Sequence, residues 1–234
     1  MVWRKADNSK VSLILSMRIR YICILLVLLS VFPLISKAQT SVGFRGGASI
    51  SSVSYRYQLG RPVEFSDGIT AQTYSFVIEH FGQKNAGVQF ELQYITLGYN
   101  QENDQMLVNR TEMDYLKMPL LSNFYFGRSG RFHIKLGPHL GYLLNARDVT
   151  REFEVDVVEL PTYGQPGDNP KRLMYGLSLG AGISKLFGKN TLAVDGRFSY
   201  EFGDQESQDR IFDMNITTLE FTLTYLFRIR KANW

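Results

Sequence analysis

The sequence predicts an all-β fold: an eight-stranded antiparallel up-and-down barrel that crosses a membrane, preceded by a cleaved signal peptide. Three observations carry this. Eight segments alternate apolar and polar residues with the two-residue period of a pleated strand. The links between them alternate short and long, as the periplasmic turns and outer loops of bacterial barrels do, and the strand number is even. The apolar stripes are rich in Phe and Tyr near strand ends, while the opposite faces mix Gly and Ser with Lys, Arg, Asp and Glu, a composition that suits a narrow polar lumen.

The 234 residues are one domain by default. Tyr21 to Ile35 (YICILLVLLSVFPLI) is apolar and follows Arg18 and Arg20, and Ser36-Lys37-Ala38 places small residues where a signal peptidase reads them. Residues 1–38 are therefore expected to be an N-terminal lead and signal peptide, cleaved before Gln39, with Met17 a candidate true start. Residues 39–234 are expected to be the barrel domain. The run is shorter than the roughly 18 to 20 residues of a helical span, which disfavours an uncleaved membrane helix.

Charge has to be read without that lead. Residues 1–38 hold Arg4, Lys5, Lys10, Arg18, Arg20 and Lys37 against Asp7; taking these six from 26 bases and one from 22 acids leaves 20 bases and 21 acids. The basic balance of the whole chain belongs to the lead, so nucleic acid is not expected as a partner. The only cysteine, Cys23, lies inside the apolar run, so residues 39–234 have no disulfide framework and no thiolate chemistry.

Each strand follows from its own alternation. Ser41–Ile50 sets Val42, Phe44, Ala48 and Ile50 against Gly43, Arg45 and Gly47. Thr70–Phe81 sets Tyr74, Phe76 and Ile78 against Thr73, Ser75 and Glu79. Gly87–Tyr99 alternates Val88, Phe90, Leu92 and Tyr94 with Gln89, Glu91 and Gln93. The clearest hairpin is Tyr115–Arg147. Leu116, Met118, Leu120, Phe124 and Phe126 of its first arm face away from Tyr115, Lys117, Asn123 and Tyr125. In the second arm Phe132, Ile134, Leu136, Leu140 and Tyr142 face away from His133, Lys135, Gly137, His139 and Gly141. Arg172–Phe187 sets Tyr175, Leu177, Leu179, Ala181 and Ile183 against Gly176, Ser178, Gly180, Gly182 and Ser184. Thr191–Phe202 sets Leu192, Val194, Phe198, Tyr200 and Phe202 against Asp195, Arg197, Ser199 and Glu201. Asn215–Arg228 sets Leu219, Phe221, Leu223, Tyr225 and Phe227 against Glu220, Thr222, Thr224 and Arg228.

Short turns fall at Gly82–Ala86, Gly127–Gly130 and Gly188–Asn190, and long links at Ser51–Ile69, Asn100–Thr111, Ala146–Lys171 and Gly203–Met214. Entry from the periplasm then puts every short turn and both ends inside, and every long link outside. Period alone leaves open a secreted, soluble, lipocalin-like barrel with the apolar stripe inward. Aromatic girdles and a mixed-charge opposite face favour lipid outside, and hence the outer membrane with its lipid as surroundings. The expected lumen is a neutralising network of Arg45, Glu79, Glu91, Lys117, Lys135, Asp195, Arg197, Glu201 and Glu220, which fills an eight-stranded barrel and leaves no pore. A charge is expected to be costly at Leu223 and far cheaper at Thr222.

The segments VGFRGGASIS, GVQFELQYITLGYN, YLKMPLLSNFYFG, FHIKLGPHLGYLLNA, YGLSLGAGISKLFG and LEFTLTYLF together resemble the PorT-like outer-membrane β-barrel family of Bacteroidetes. The resemblance spans residues 39–229; its most specific pieces are Tyr115-Leu116-x-Met118-Pro119-Leu120-Leu121 and Gly137-Pro138 followed by Gly141-Tyr142-Leu143-Leu144. It implies an eight-stranded outer-membrane barrel, whose named member is an accessory of type IX protein secretion. It implies no shared catalytic motif. Lys117 stands where related sequences often carry a carboxylate, and Pro119 reads as a bulge in the wall.

Catalytic and metal motifs are weak. Gly176-Leu-Ser178-Leu-Gly180 matches G-x-S-x-G, but it lies inside a strand and His80, His133 and His139 all precede it, so small residues making room for long neighbours is the better reading. His133 and His139 are about 20 Å apart along a strand, too far to share a metal. Glu79 and Glu91 read as packed charges, not as an acid and base pair. No enzymatic activity, cofactor or metal is expected, the alternative being a lipid-modifying barrel enzyme. Asp148, Glu152, Glu154, Asp156, Glu159 and Asp168 crowd the longest loop and Asp204, Glu206, Asp209 and Asp213 the last, without calcium-loop spacing. Phe153, Val155, Val157 and Leu160 alternate with acids, which suggests a hairpin above the membrane with an edge for a protein partner. The expected role is structural, adhesive, or accessory to assembly or secretion.

Overall fold

The computed structural model describes residues 38–56, 64–102, 105–106, 108–152, 163, 170–202 and 213–231. Residues 1–37 of the expected lead and signal peptide and the expected hairpin at Phe153, Val155, Val157 and Leu160 lie outside the described residues, as do Glu154, Asp156, Glu159, Asp168, Asp204, Glu206 and Asp209 of the acidic loops.

Antiparallel pairing runs in chain order around a closed ring. The strands are β1 (Gln39–Arg56), β2 (Glu64–Phe65), β3 (Asp67–Phe81), β4 (Ala86–Glu102), β5 (Val108–Gly127), β6 (Gly130–Arg151), β7 (Leu173–Phe187), β8 (Asn190–Phe202) and β9 (Asp213–Arg230). β2 is a two-residue addition to β1. The other eight form the ring, and β9 closes on β1 from Arg56↔Asp213 to Thr40↔Arg230. Closure matters because it leaves no unpaired edge in hydrocarbon. Tight turns join the strands at one end; Gly188 takes φ +63° in the two-residue β7–β8 loop, the mirror-image conformation that matches strand twist.

All eight predicted strands are present, and several run further than their alternation indicated. Ser51–Arg56, Asn100–Glu102, Val108–Thr111 and Ala146–Arg151, read above as link, belong to β1, β4, β5 and β6. The wall is therefore taller than the lipid belt. On β9 the outward apolar row runs from Leu219 to Ile229; ten steps make about 34 Å along the strand, or about 26 Å along the axis at a tilt near 40°, which matches an apolar band about 25 Å tall. Above that height β5 changes character, and Leu116 gives way to Asp114, Glu112 and Arg110.

The faces are sorted as a membrane barrel requires. Phe90, Leu136 and Phe221 are 40%, 51% and 57% exposed, while Glu91, Lys135 and Glu220 are at most 2% exposed. The soluble, lipocalin-like alternative needs the reverse and is overturned. Aromatics gather towards both borders of the belt, with Tyr175 against Phe202 at 6.1 Å towards one and Phe126 against Phe132 at 6.3 Å towards the other.

Two expectations need correction. Pro119 is not a bulge: Pro119↔His139 and Ser122↔Leu136 keep one register. Proline costs a ladder bond, and Gly137 lets the β6 backbone come close enough that a Cβ there would lie 2.1 Å from the Leu120 carbonyl oxygen. The irregularities sit further up: between Asp114 and Tyr115, where Leu144 is the extra residue between Leu143 and Asn145, and between Arg110 and Thr111, where Val149 is extra. Thr222 does not look into open lumen either. It is buried and accepts a hydrogen bond from Arg45 Nε at 2.8 Å, so an arginine there would meet a filled interior.

Candidate functional site

Two neighbouring regions could carry function: the interior of the barrel and the wall around its outer mouth. The interior follows from the inward half of each alternation. Because the barrel is narrow, those side chains meet across it and not merely along the sheet.

From the short-turn end upwards the lumen is layered. In the lowest layer the Lys135 ammonium and His133 Nε2 both contact Asp195 Oδ1, at 2.8 and 2.6 Å, and the Thr224 hydroxyl donates to Asp195 Oδ2 at 3.0 Å. Glu79 lies here among neutral donors, the Tyr125 hydroxyl at 3.0 Å and the Asn123 amide at 2.9 Å. The middle layer holds two arginines and two glutamates. Arg197 Nη1 reaches Glu91 at 2.9 Å, its Nη2 makes a second contact with the same carboxylate, and Arg45 bridges Glu220 at 2.9 Å and Glu91 at 3.4 Å. Above it the Lys117 ammonium donates to Glu201 at 2.7 Å.

All nine residues of the expected network thus point inward. Eight join ion pairs, and Glu79 among the described residues is held by neutral donors alone. Among these nine, five carboxylates face four Lys and Arg groups; the middle and upper layers are neutral, and in the lowest Arg131, 4.0 Å over the Tyr125 ring, adds a cation near Glu79. Breaking one partner of such a buried pair costs about 3–5 kcal/mol, because the survivor is stranded away from water.

Small residues make space for these groups. On β7 a Cβ at Gly176 would lie 2.6 Å from His139 Nε2, and one at Gly182 would lie 2.7 Å from His133 Nε2. Of the two glycines in the G-x-S-x-G match, Gly176 therefore accommodates the His139 ring, while Gly180 lies beside the Arg197 side chain. Ser178 shares hydrogen bonds of 2.9 Å with His139 Nδ1 and with Ser199, and His139 Nε2 stands 3.6 Å from Glu201. Chain order hid this Ser–His–Glu proximity. Ser178, His139 and Glu201 are each at most 1% exposed, enclosed between the packed layers. His133 and His139 go to separate partners, and no cluster of metal-ligating side chains occurs among the described residues.

The upper lumen departs from the sequence reading. Val53, Ile95, Leu97, Tyr99, Met113, Tyr115, Leu143, Met174, Met214 and Ile216 form an apolar core inside the barrel. The interior is thus an ionic stack under a hydrophobic cap, not a polar plug throughout. The signal was present in Tyr94-Ile95-Thr96-Leu97, where large apolar residues occupy both parities.

Around the outer mouth the wall carries partly exposed ion pairs. Arg147 donates to Asp114 at 2.6 Å and to Glu112 at 2.7 Å, and Arg110 pairs with Glu112 at 2.8 Å. Burial pushes the Asp114 carboxyl up, but the Thr96 hydroxyl and the Arg147 guanidinium outweigh it and hold the group below the usual carboxylate range. Asp148, one of the loop acids, is engaged by the Thr111 hydroxyl at 2.9 Å and by Arg151 at 3.0 Å.

A closed eight-stranded ring with hydrocarbon-facing side chains outside and a filled interior defines a small integral outer-membrane β-barrel protein. The model of the outer membrane protein beta-barrel domain family matches residues 37–206, so the chain belongs to that family and resides in the outer membrane. Comparison with curated proteins gives no match. Among solved structures, OprG of Pseudomonas aeruginosa is similar at 11% identity and TM-score 0.49, covering 84% of this chain and 99% of that one. AlkL, determined in lipid bilayers, is similar at 14% identity and TM-score 0.46, covering 85% and 94%. Ail of Yersinia pestis, solved also with the heparin analogue sucrose octasulfate, is similar at 14% identity and TM-score 0.42, covering 81% and 99%. At these identities and scores they carry no inference about ligand or activity.

Proposed function

We propose that this protein is a non-porin, non-enzymatic barrel that holds its outer loops for contact with a protein partner, in a structural, adhesive, or assembly or secretion-accessory role. The observation that carries the reading is the filled lumen. Arg45, Glu91, Arg197 and Glu220 are at most 2% exposed, so no aqueous path runs along them, and what remains to meet other molecules is the outer mouth. The sequence pieces around Tyr115–Leu121 and Gly137–Leu144 further support a place in the PorT-like subset of the family, with type IX secretion as the candidate process.

Photo-crosslinking from residues 153–169 in native membranes, followed by purification, tests it. The expected result is a defined protein adduct that is lost when that loop is shortened. Steady single-channel conductance in planar bilayers, or crosslinks to lipid alone, would overturn it. A lipid-modifying enzyme is the second reading, favoured only by the Ser178–His139–Glu201 proximity, and Ser178→Ala addresses it below.

A further inference from the structure

The end of the barrel with the short turns is strongly basic. Lys84, Arg128, Lys185, Lys189, Arg228 and Lys231 lie in or beside the turns and the last residues of β9, and residues 82–86, 127–131, 185–190 and 226–231 contain no Asp or Glu. Most of these cations stand in turns or at the ends of strands. Lys185 differs, because it occupies the outward row of β7 between Ile183 and Phe187 and so projects at the membrane border with no protein partner among the described residues.

Beside Lys185 the outer wall has a groove of about 490 Å³, lined by Phe132 of β6, Ile183 of β7, and Leu192 and Val194 of β8, with Gly130 at the rim. That volume lies in the range of small-molecule sites, roughly 300–1,000 Å³. Further into the membrane Ala181 and Gly196 pair with each other on the same outward face, and a Cβ at Gly196 would meet nothing nearer than 3.9 Å. Past the groove the wall therefore presents a strip of small residues, with the Phe221 ring beside it. An unpaired ammonium at the surface above an apolar groove matches a phosphate headgroup joined to an acyl chain.

We propose that this groove binds one anionic phospholipid of the periplasmic leaflet, its phosphate on Lys185 and one acyl chain along Ile183, Val194 and the Ala181–Gly196 strip. The surrounding basic rim raises the local concentration of anionic over zwitterionic lipid. Lysine suits the role because its stem can lie along apolar surface while the ammonium reaches the headgroups.

Native mass spectrometry of the full chain released from detergent micelles tests this, with phosphatidylglycerol or phosphatidylcholine added in equal amount. Wild type and Lys84→Gln, whose cation lies away from the groove, should retain one phosphatidylglycerol and little phosphatidylcholine. Lys185→Gln and Ile183→Trp should each lower the retained fraction about fivefold or more. Both substituted side chains point away from the lumen, and heat-dependent gel migration verifies that the variants are folded. Equal retention of the two lipids, or unchanged retention in both groove variants, would overturn the site. So would a loss seen only with Lys185→Gln, or an equal loss with Lys84→Gln, since either assigns the lipid to rim charge without a groove.

Discussion

Placing a charge at Leu223 tests which side of the sheet meets hydrocarbon. Leu223 is outward on β9, 53% exposed, and hydrogen-bonded in register with Gly46 and Val194. It lies four steps below Leu219 and six above Ile229, or about 10 and 16 Å along the axis at a strand tilt near 40°. That is close to mid-belt, where arginine costs about 2–4 kcal/mol, against about 0–1 kcal/mol near an interface. Leu223→Arg should therefore lower the folding constant roughly 30- to 900-fold. Ile229→Arg, 60% exposed beside Arg228 and Arg230, should change it little. Reversible urea unfolding in phospholipid vesicles, followed by circular dichroism or gel migration, measures both. Equal costs at the two positions would refute the orientation of the sheet and the belt height with it.

Arg197→Met should cost about 3–5 kcal/mol in the same assay, since it leaves Glu91 with the 3.4 Å ion pair to Arg45 and the neutral Gln89 amide; adding Glu91→Gln should restore most of the loss, and a single variant as stable as wild type would contradict the ionic stack. Ser178→Ala should cost about 1–3 kcal/mol through the unpaired His139 Nδ1 and leave membrane lipid composition unchanged, whereas an altered lipid profile from a folded variant would favour the enzyme reading. The lowered Asp114 pKa fixes a sign. Its contribution to stability is full above the unfolded value near 3.8 and is lost as pH falls through the lower folded value. The urea midpoint of Asp114→Asn should thus lie below wild type at pH 7 and the gap should close in stronger acid; a constant gap would exclude the carboxylate as its cause.

Strand count, face assignment and compartment were legible because one physical constraint, lipid on one side and a narrow lumen on the other, writes the same alternation eight times. Strand ends were less legible. Above the belt, inward positions on β4, β5 and β6 turn apolar, as at Ile95, Leu97, Met113 and Leu143, so the contrast between faces that marks a strand disappears. The bulge at Leu144 is announced only by the doublet Leu143-Leu144, since an extra residue shifts parity without needing special chemistry. Pro119 announces itself loudly and shifts nothing. The inward direction of the nine charged residues followed from parity, but their pairing did not. Lys117 meets Glu201 84 residues away, and Arg197 meets Glu91 106 residues away, because the stagger with which β9 closes on β1 sets which heights coincide. Period reports a face; it carries no information on height around a closed cylinder.

The extra height of β5 and β6 sets where a visitor from outside can touch the protein. From Leu116 to Val108, and from Leu144 to Arg151, the paired walls rise about 18–21 Å above the belt at roughly 2.6 Å of height per residue. The described ends of both arms, Val108 and Arg151, therefore form a paired ledge that stands above the apolar belt. Anything approaching this rim from outside meets that ledge before it meets hydrocarbon.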